Sequence, residues 1–294
     1  MANCQKLVVN GGRRLEGELR VHGAKNSALP LLAACVLAHG ECVLHNCPAL
    51  TDVDAACRIL SCLGCRCSRS GDTVCVDASN VCGNEIPDTL MREMRSSIVF
   101  LGAVLGRTRR CRLTFPGGCE LGARPIDLHL AALREMGVVI GEEHGWLGCS
   151  APGGLHGGNI TLSFPSVGAT ENIMLAAVTA AGRTEIHNAA REPEIIDLAE
   201  FLNKCGAKIS GAGGSTICID GVQRLEPAEH TVIPDRIVAG TYLCAAAITR
   251  GELILTGCEP QHMTGFLPVL ESMGCRSYPY GGGNMYLSCK RRPS

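Results

Sequence analysis

A cysteine in a loop rich in glycine and proline is the clearest candidate for chemistry in this sequence. The stretch from Phe115 to Pro125 holds three glycines, two prolines and Cys119, and a predicted helix over 127–136 follows it. Glycine and proline favour turns, so a thiol there is expected to be exposed rather than packed in a core. The helix start and Arg124 would both favour the thiolate, which is the reactive form. The alternative, that one of many cysteines lies in a loop by chance, is equally compatible with this context.

Polar residues at predicted helix starts form the second candidate set. Lys25 and Asn26 open the first predicted helix, where free backbone N–H groups attract phosphate or carboxylate. A lone lysine at a helix end is more often simply solvated, so this signal is weak by itself. Similar starts recur at Arg95, at Ser166-Val167-Gly168 and at Pro234-Asp235-Arg236. Their recurrence predicts a shared rim that binds an anionic ligand.

These positions belong to a pattern that occurs four times along the chain. An amphipathic stretch of helical periodicity ends in a glycine and leads into a short strand-like run. The terminal glycines are Gly64, Gly137, Gly206 and Gly274. Glycine after the last helical turn is typical of a left-handed C-cap. The spacing of about 70 residues indicates duplication of a whole α/β motif.

A second helix, richer in alanine, precedes each amphipathic helix and is followed by a strand. The predicted segments are 27–38, 95–105, 170–181 and 236–249. Helices that alternate with strands favour an α/β architecture. The sequence therefore predicts an α/β fold built from repeated βαβαββ units.

Composition argues against two classes of partner. Lys+Arg 27 against Asp+Glu 28 leaves a net charge of -1, without the basic excess of a general nucleic-acid-binding protein. Aromatic residues, at 3%, are too few for a base-stacking groove. The longest apolar run is too short for a membrane span, and we see no signal peptide. We therefore expect neither a nucleic-acid nor a membrane partner.

Cysteine is unusually frequent, with 19 copies, and we interpret most of them as reduced core residues of a cytoplasmic protein. Cys62, Cys65 and Cys67 resemble a zinc or redox C-x-x-C motif. They lie, however, at the helix–glycine–strand corner, where the later repeats have no second cysteine. A closed zinc site needs four ligands, and no further pair follows at ligand spacing. Packing is therefore favoured over metal binding.

Several long segments together carry a family resemblance. They are Gly23–Asn26, Pro116–His129, Ser166–Thr170, Asn188–Glu194 and Pro234–Arg236. These segments are distributed along the whole chain, and they closely resemble the corresponding segments of the UDP-N-acetylglucosamine enolpyruvyl transferases (1-carboxyvinyltransferases). The resemblance is more specific than any single short motif because the segments are long and ordered.

The resemblance implies transfer of the enolpyruvyl group of phosphoenolpyruvate to the 3-hydroxyl of UDP-N-acetylglucosamine, with release of phosphate. This is the first committed step of peptidoglycan synthesis, and neither a cofactor nor a metal is implied. By resemblance, Cys119 is the general acid and the thiol that can add to phosphoenolpyruvate, and Lys25, Asn26 and Arg124 bind that substrate. The implied contacts to the UDP-sugar are Arg95, Arg124, Pro125, Ile126, Asp127, Leu128, Pro165, Ser166, Val167 and Gly168.

The fold implied by the resemblance is an inverse α/β barrel of two similar domains, each built from three βαβαββ units around a shared active-site cleft. Four of the expected six units are visible. Residues 1–22 would supply the opening strand of the second domain, 23–231 the complete three-unit domain with the cysteine loop, and 232–294 the first unit of the second domain. The family's catalytic aspartate and C-terminal arginines would lie beyond residue 294, so the sequence departs from the pattern by omission.

Two alternatives stay open at this point. The first is 3-phosphoshikimate 1-carboxyvinyltransferase, which shares the fold and the phosphoenolpyruvate donor. It is disfavoured because the Pro-Gly-Gly-Cys loop at 116–119 belongs to the sugar-nucleotide branch. The second is a non-catalytic fragment that at most binds a UDP-sugar.

Overall fold

The structure, a computed structural model, describes residues 6, 8–117, 126–279 and 281–289. Within these ranges, helices alternate with short strands, and one β-α-β-α-β-β order recurs. The chain divides into two compact units. The large unit is Gly23–Ile233, and the small unit combines Met1–His22 with Pro234–Ser294.

Three copies of the repeat make up the large unit, which follows strand β1 (Glu16–Arg20) of the small unit. The first copy contains α1 (Lys25–Cys35), β2 (Glu41–His45), α2 (Thr51–Cys62), β3 (Arg66–Ser70) and β4 (Thr73–Asp77). The second contains α3 (Asp88–Glu93), a 3-10 helix (Arg95–Val99), α4 (Phe100–Thr108), β5 (Arg110–Thr114), α5 (Asp127–Glu135), β6 (Val139–Glu143) and β7 (Trp146–Ser150). The third contains β8 (Asn159–Thr161), α6 (Val167–Ala177), β9 (Arg183–His187), α7 (Pro193–Lys204), β10 (Lys208–Ser210), β11 (Thr216–Asp220) and then β12 (Glu229–Thr231).

Each copy forms its own small sheet, and the strand order is the same in each. The orders are β12-β2-β4-β3, β5-β7-β6 and β8-β9-β11-β10. The entering strands β12 and β8 pair parallel to β2 and β9, and the remaining pairs are antiparallel. In the second copy an isolated parallel bridge between Glu85 and Arg112 takes the place of the entering strand. The predicted α/β fold of repeated βαβαββ units is therefore confirmed.

Helices α1, α4 and α6 form the centre of the large unit. They are buried almost all round, over Ser27–Cys35, Phe100–Gly106 and Ala169–Ala177. A helix that is apolar on every side belongs in a core. Glycine lets α4 and α6 approach closely, because a Cβ on Gly102 would lie 2.2 Å from the Asn172 carbonyl oxygen. Helices α2, α5 and α7 bury one face only.

The four repeat glycines have left-handed backbone conformations, as the sequence predicts. Their φ values are +96° at Gly64, +89° at Gly137, +99° at Gly206 and +89° at Gly274. Three of the alanine-rich helices differ from the predicted bounds, and the first of them, α1, covers Lys25–Cys35 instead of 27–38. The segment 95–105 is divided between the 3-10 helix and α4, since a tight turn is common at a helix start. Helix α6 begins at Val167 instead of residue 170, because Ser166 provides its N-cap.

The small unit contains one copy of the repeat. Its elements after β1 are α8 (Arg236–Ile248), β13 (Glu252–Thr256), a 3-10 helix (Pro260–Met263), α9 (Leu267–Ser272), β14 (Arg276–Pro279) and β15 (Met285–Ser288). The sheet order β1-β13-β15-β14, with β1 parallel to β13, matches the large unit. Its core combines the inner face of α8 with residues such as Leu255 and Leu287.

Candidate active site

The N-terminus of α1 carries two predicted ligand-binding residues. Lys25 is the first residue of the helix and is half-buried, and Asn26 is the second and is exposed. The Lys25 Nζ lies 3.0 Å from Oδ2 of Asp52, which is in the first turn of α2. This ion pair holds the ammonium group beside the start of α1. Asp52 was not singled out from the sequence, because the pairing arises between two helices.

Arg95 is the first residue of the 3-10 helix, which packs against α1 and α6. Its side chain is half-buried and makes neither a hydrogen bond nor an ion pair with another described residue. A guanidinium that has no partner among the described residues is suited to binding a phosphate or carboxylate.

The predicted residues before and within α5 fall into two groups. Cys119, Arg124 and Pro125 lie outside the described residues. Ile126 is buried at the N-cap of α5, and it is followed by the exposed Asp127 and the half-buried Leu128. The roles predicted for the first group therefore stay predictions.

The start of α6 supplies the remaining predicted residues. Pro165 is exposed, and Ser166 caps the helix by accepting a hydrogen bond of 3.3 Å from the Ala169 N–H at its Oγ. Val167 and Gly168 follow and are half-buried. Gly168 lies on the His129 ring, since a Cβ there would be 3.1 Å from the ring's Cε1. The start of α6 therefore packs directly on α5.

The buried Asn172 links these helix starts. Its Nδ2 donates to the Ile98 carbonyl at 3.1 Å and to His129 Nδ1 at 2.9 Å. Its Oδ1 accepts from the Gly102 N–H at 2.6 Å. One amide in α6 thus holds the 3-10 helix, α4 and α5, which brings Arg95, Asp127 and the Ser166–Gly168 segment to neighbouring elements. Asn172 is not among the residues predicted from the sequence, although a carboxamide inside an apolar helix signals a structural hydrogen bond.

Burial makes two titratable groups near these helix starts less charged. It lowers the pKa of His129 to about 4, so the ring is neutral at pH 7, and its Nε2 carries the proton because Nδ1 accepts from Asn172. Burial also raises the pKa of Glu171 to about 8, with smaller contributions from Glu194 and Glu192. Most Glu171 side chains are therefore protonated at pH 7, which lowers the negative charge near the start of α6.

Two other kinds of function find no support in the part of the chain that the structure describes. No group of three or more histidine, cysteine, aspartate or glutamate residues there could hold a metal ion. Cys65 lies in the core, Cys67 is half-buried and Cys62 is exposed. Among the described helices, none combines the length and apolar character that crossing a membrane requires.

Comparison with known proteins places the chain in a family. Residues 9–278 match the family model described as EPSP synthase (3-phosphoshikimate 1-carboxyvinyltransferase). The chain is 52% identical over 288 residues to UDP-N-acetylglucosamine 1-carboxyvinyltransferase 2 of Caldanaerobacter subterraneus subsp. tengcongensis, covering 98% of this chain and 69% of the relative. It is 50% identical over 282 residues to UDP-N-acetylglucosamine 1-carboxyvinyltransferase 1 of Symbiobacterium thermophilum, covering 94% and 64%.

Solved structures agree with this placement. The enolpyruvyl transferase NikO from Streptomyces tendae superposes with a TM-score of 0.84 at 25% identity, covering 95% of this chain and 66% of that one. EPSP synthase from Acinetobacter baumannii gives a TM-score of 0.72 at 21% identity, which supports the fold alone. The chain spans about two thirds of the length of these proteins. It belongs to the enolpyruvyl (1-carboxyvinyl) transferase family, and within that family to the UDP-N-acetylglucosamine 1-carboxyvinyltransferases.

Proposed function

We propose that this protein transfers the enolpyruvyl group of phosphoenolpyruvate to the 3-hydroxyl of UDP-N-acetylglucosamine and releases phosphate. The observation that carries the proposal is the juxtaposition, through Asn172, of helix starts that carry Arg95, Asp127 and Ser166–Gly168. The substrate comes from the names of relatives that are 46–52% identical over most of the chain.

Helix starts suit both substrates because each substrate carries phosphate. In the proposed arrangement Lys25, Asn26 and Arg124 bind phosphoenolpyruvate, and Arg95 with the starts of α5 and α6 binds the UDP-sugar. Free N–H groups and guanidinium ions stabilise negative charge without rearranging during the reaction. The fold has already oriented these N–H and guanidinium groups. They therefore favour the transition state, in which charge moves onto the departing phosphate.

The proposed chemistry is an addition followed by an elimination. Cys119 donates a proton to C3 of phosphoenolpyruvate while the sugar 3-oxygen bonds to C2 and its own proton leaves to a base. The resulting phospho-ketal then loses phosphate from C2 and a proton from C3, which restores the C2–C3 double bond. We assign the acid role to Cys119 by the family resemblance. In the sequence Cys119 lies five residues before Arg124 and eight before the first residue of α5, and a thiol whose pKa is lowered toward neutrality gives up its proton more readily than an ordinary thiol.

We further propose that the reaction takes place in the cytoplasm as a step of peptidoglycan synthesis, and that it supports cell shape and division. The high cysteine content supports this location, because the cytoplasm keeps thiols reduced.

Ligand stabilisation tests the choice of substrate. UDP-N-acetylglucosamine at ~100 times its dissociation constant should raise stability by about 2.7 kcal/mol, and shikimate 3-phosphate should not. Arg95→Gln should reduce the response, whereas Arg110→Gln, at an exposed arginine on β5, should retain it. Thermal shifts of the three proteins measure this. A thermal shift with shikimate 3-phosphate alone would favour assignment as a 3-phosphoshikimate 1-carboxyvinyltransferase. The absence of a shift with either ligand would contradict the proposed binding site.

Selective labelling tests the thiol. Fosfomycin, an epoxide that mimics phosphoenolpyruvate, should add to Cys119 faster than to the exposed thiols Cys62, Cys82 and Cys244. Peptide mass mapping after limited labelling locates the adduct, and Cys119→Ser should abolish it. Preferential modification of Cys62 or its neighbours would contradict the proposed role and revive the metal or redox interpretation of that segment.

A further inference from the structure

A chain of four polar side chains runs from the surface of the large unit to the first turn of α1. Lys204 Nζ lies 2.9 Å from His230 Nδ1, and His230 Nε2 lies 2.7 Å from Asp197 Oδ1. The Ser27 hydroxyl then donates to Asp197 Oδ2. Ser27, Asp197 and His230 are 0%, 2% and 4% exposed, so three of the four members are inside the core.

The hydrogen bonds show which atoms donate and which accept along these four side chains. A lysine ammonium has only donors, so His230 Nδ1 must accept and carries no proton. The other ring nitrogen, Nε2, then donates its hydrogen to Oδ1 of Asp197. Lys204 is exposed and Asp197 is buried, and the imidazole of His230 bridges them.

Asp197 holds the start of α1 in two ways. The first is the hydrogen bond from Ser27, the third residue of the helix. The second runs through the backbone: the Ile233 N–H donates to Asp197 Oδ2 at 3.5 Å, and the Ile233 carbonyl accepts from the Ala24 N–H at 2.7 Å. Ala24 and Ser27 enclose Lys25 and Asn26, so one carboxylate fixes both ends of the turn that carries them.

We propose that Asp197, supported by His230, is a positioning residue for the anion-binding turn Lys25–Asn26. A buried carboxylate is a poor device for stability alone, because apolar side chains of similar volume often replace buried ion pairs without loss. What it supplies is fixed geometry, and displacement of a catalytic group by about 1 Å can cost a factor of ~100 in rate. The identity of the ligand at this turn rests on the proposed function, whereas the fixing of the turn does not.

Local hydrogen exchange tests the positioning directly. Asp197→Asn keeps the volume but places an amide NH2 against at least one donor, so amides at 24–29 should exchange at least about tenfold faster. The matched control is Leu198→Ala, a fully buried neighbour on α7, which should lower stability without selecting that segment. Ser27→Ala should give a smaller effect at the same amides, and Ser27→Thr, which keeps the hydroxyl, should restore protection.

Binding of inorganic phosphate and phosphoenolpyruvate by calorimetry provides the functional measurement. Asp197→Asn should weaken binding at least about tenfold, and Leu198→Ala should leave it unchanged. If the unmodified protein binds neither ligand, the proposed function fails, while the exchange data still decide the positioning role. Equal exchange at 24–29 in Asp197→Asn and Leu198→Ala would overturn the inference. If Asp197→Asn does not fold, Ser27→Ala against Ser27→Thr decides in its place.

Discussion

Helices α6 and α8 occupy the same place in the repeat and are equally apolar, yet they differ in burial. In the large unit α6 packs against α4, α5 and α7, and all its residues from Ala169 to Ala177 are buried. In the small unit α8 packs mainly on β13, β15 and a 3-10 helix, and it buries Ala239, Leu243, Ala246 and Ala247. Composition thus predicts that each helix forms, whereas the number of packed neighbours decides how much of it is buried.

The polar contents of the two units differ in the same direction. The described part of the large unit buries His129, Glu171, Asn172, Asp197 and His230, whereas that of the small unit buries Asp235 and Ser288. Buried polar groups need hydrogen-bond partners, and several packed layers supply them more readily than one layer does. Specific chemistry and sensitivity to pH are therefore expected to be concentrated in the large unit.

The largest expected difference comes from removing a leucine from each helix. Leu175→Ala in α6 should cost about 4 kcal/mol, because a site enclosed on all sides cannot collapse into the cavity. Leu243→Ala in α8, also fully buried, should cost about 2 kcal/mol because one side of the helix can relax. Urea denaturation measures both losses. Equal losses would show that enclosure does not distinguish the two helices.

The pH dependence of stability should separate the units next. The pKa of Glu171 is about 8 in the folded state and near 4.5 in the unfolded chain, so the folded state binds the proton more tightly. Stability should therefore fall as pH rises from about 5 to 8, by roughly 3 kcal/mol at about 1.4 kcal/mol per pKa unit with allowance for relaxation. Melting temperatures of the unmodified protein and Glu171→Gln measure this, and the variant should lose most of the fall.

His129 provides the internal control for that prediction because its effect has the opposite sign. Its pKa is lowered to about 4 by burial, so its contribution to stability is lost as pH falls from about 6.5 toward 4. Glu171→Gln should leave this acid-side loss unchanged. If Glu171→Gln removed both the loss of stability at high pH and the loss at low pH, the substitution would have changed the fold in general.

The repeat glycines should respond alike in both units. Gly206 and Gly274 have positive φ, and a Cβ on either would meet nothing within 4 Å, so only the left-handed backbone penalises a side chain. Gly206→Ala and Gly274→Ala should each cost about 1–2 kcal/mol. Gly158→Ala is the control, since its φ is not left-handed and its Cβ position is also open. Unequal losses of stability for Gly206→Ala and Gly274→Ala would show that contacts with neighbouring residues, and not only the backbone conformation, determine the effect of a side chain at these positions.

The smallest effect is expected on the outer face of α8. Ile248 is 77% exposed, so Ile248→Ser should change the free energy of unfolding by less than about 0.5 kcal/mol. The same substitution at the fully buried Ile173 of α6 should be strongly destabilising and serves as the comparison. Parallel urea denaturation of both variants measures the free energy of unfolding. A large decrease for Ile248→Ser would mean that the outer face of α8 packs against other residues.

The repeat is predictable from the sequence, because helix periodicity, glycine caps and polar helix starts are local properties of the chain. It predicted the left-handed glycines and placed Lys25, Arg95 and Ser166 at element starts, where the structure has them. The observed bounds of α1, α6 and the 3-10 helix differ from the predicted ones by a few residues, because capping interactions set the ends of a helix.

Helix packing in three dimensions brings particular helix starts together and provides the hydrogen bonds that hold them there. Asn172 contacts elements about 40 to 75 residues away, and Asp197 meets Ser27 across 170 residues. No local pattern records such pairs, because the side chains are brought into contact by helix packing and not by spacing along the chain. The same packing sets the charge of His129 and Glu171, since desolvation depends on every neighbouring layer and not on the residue type.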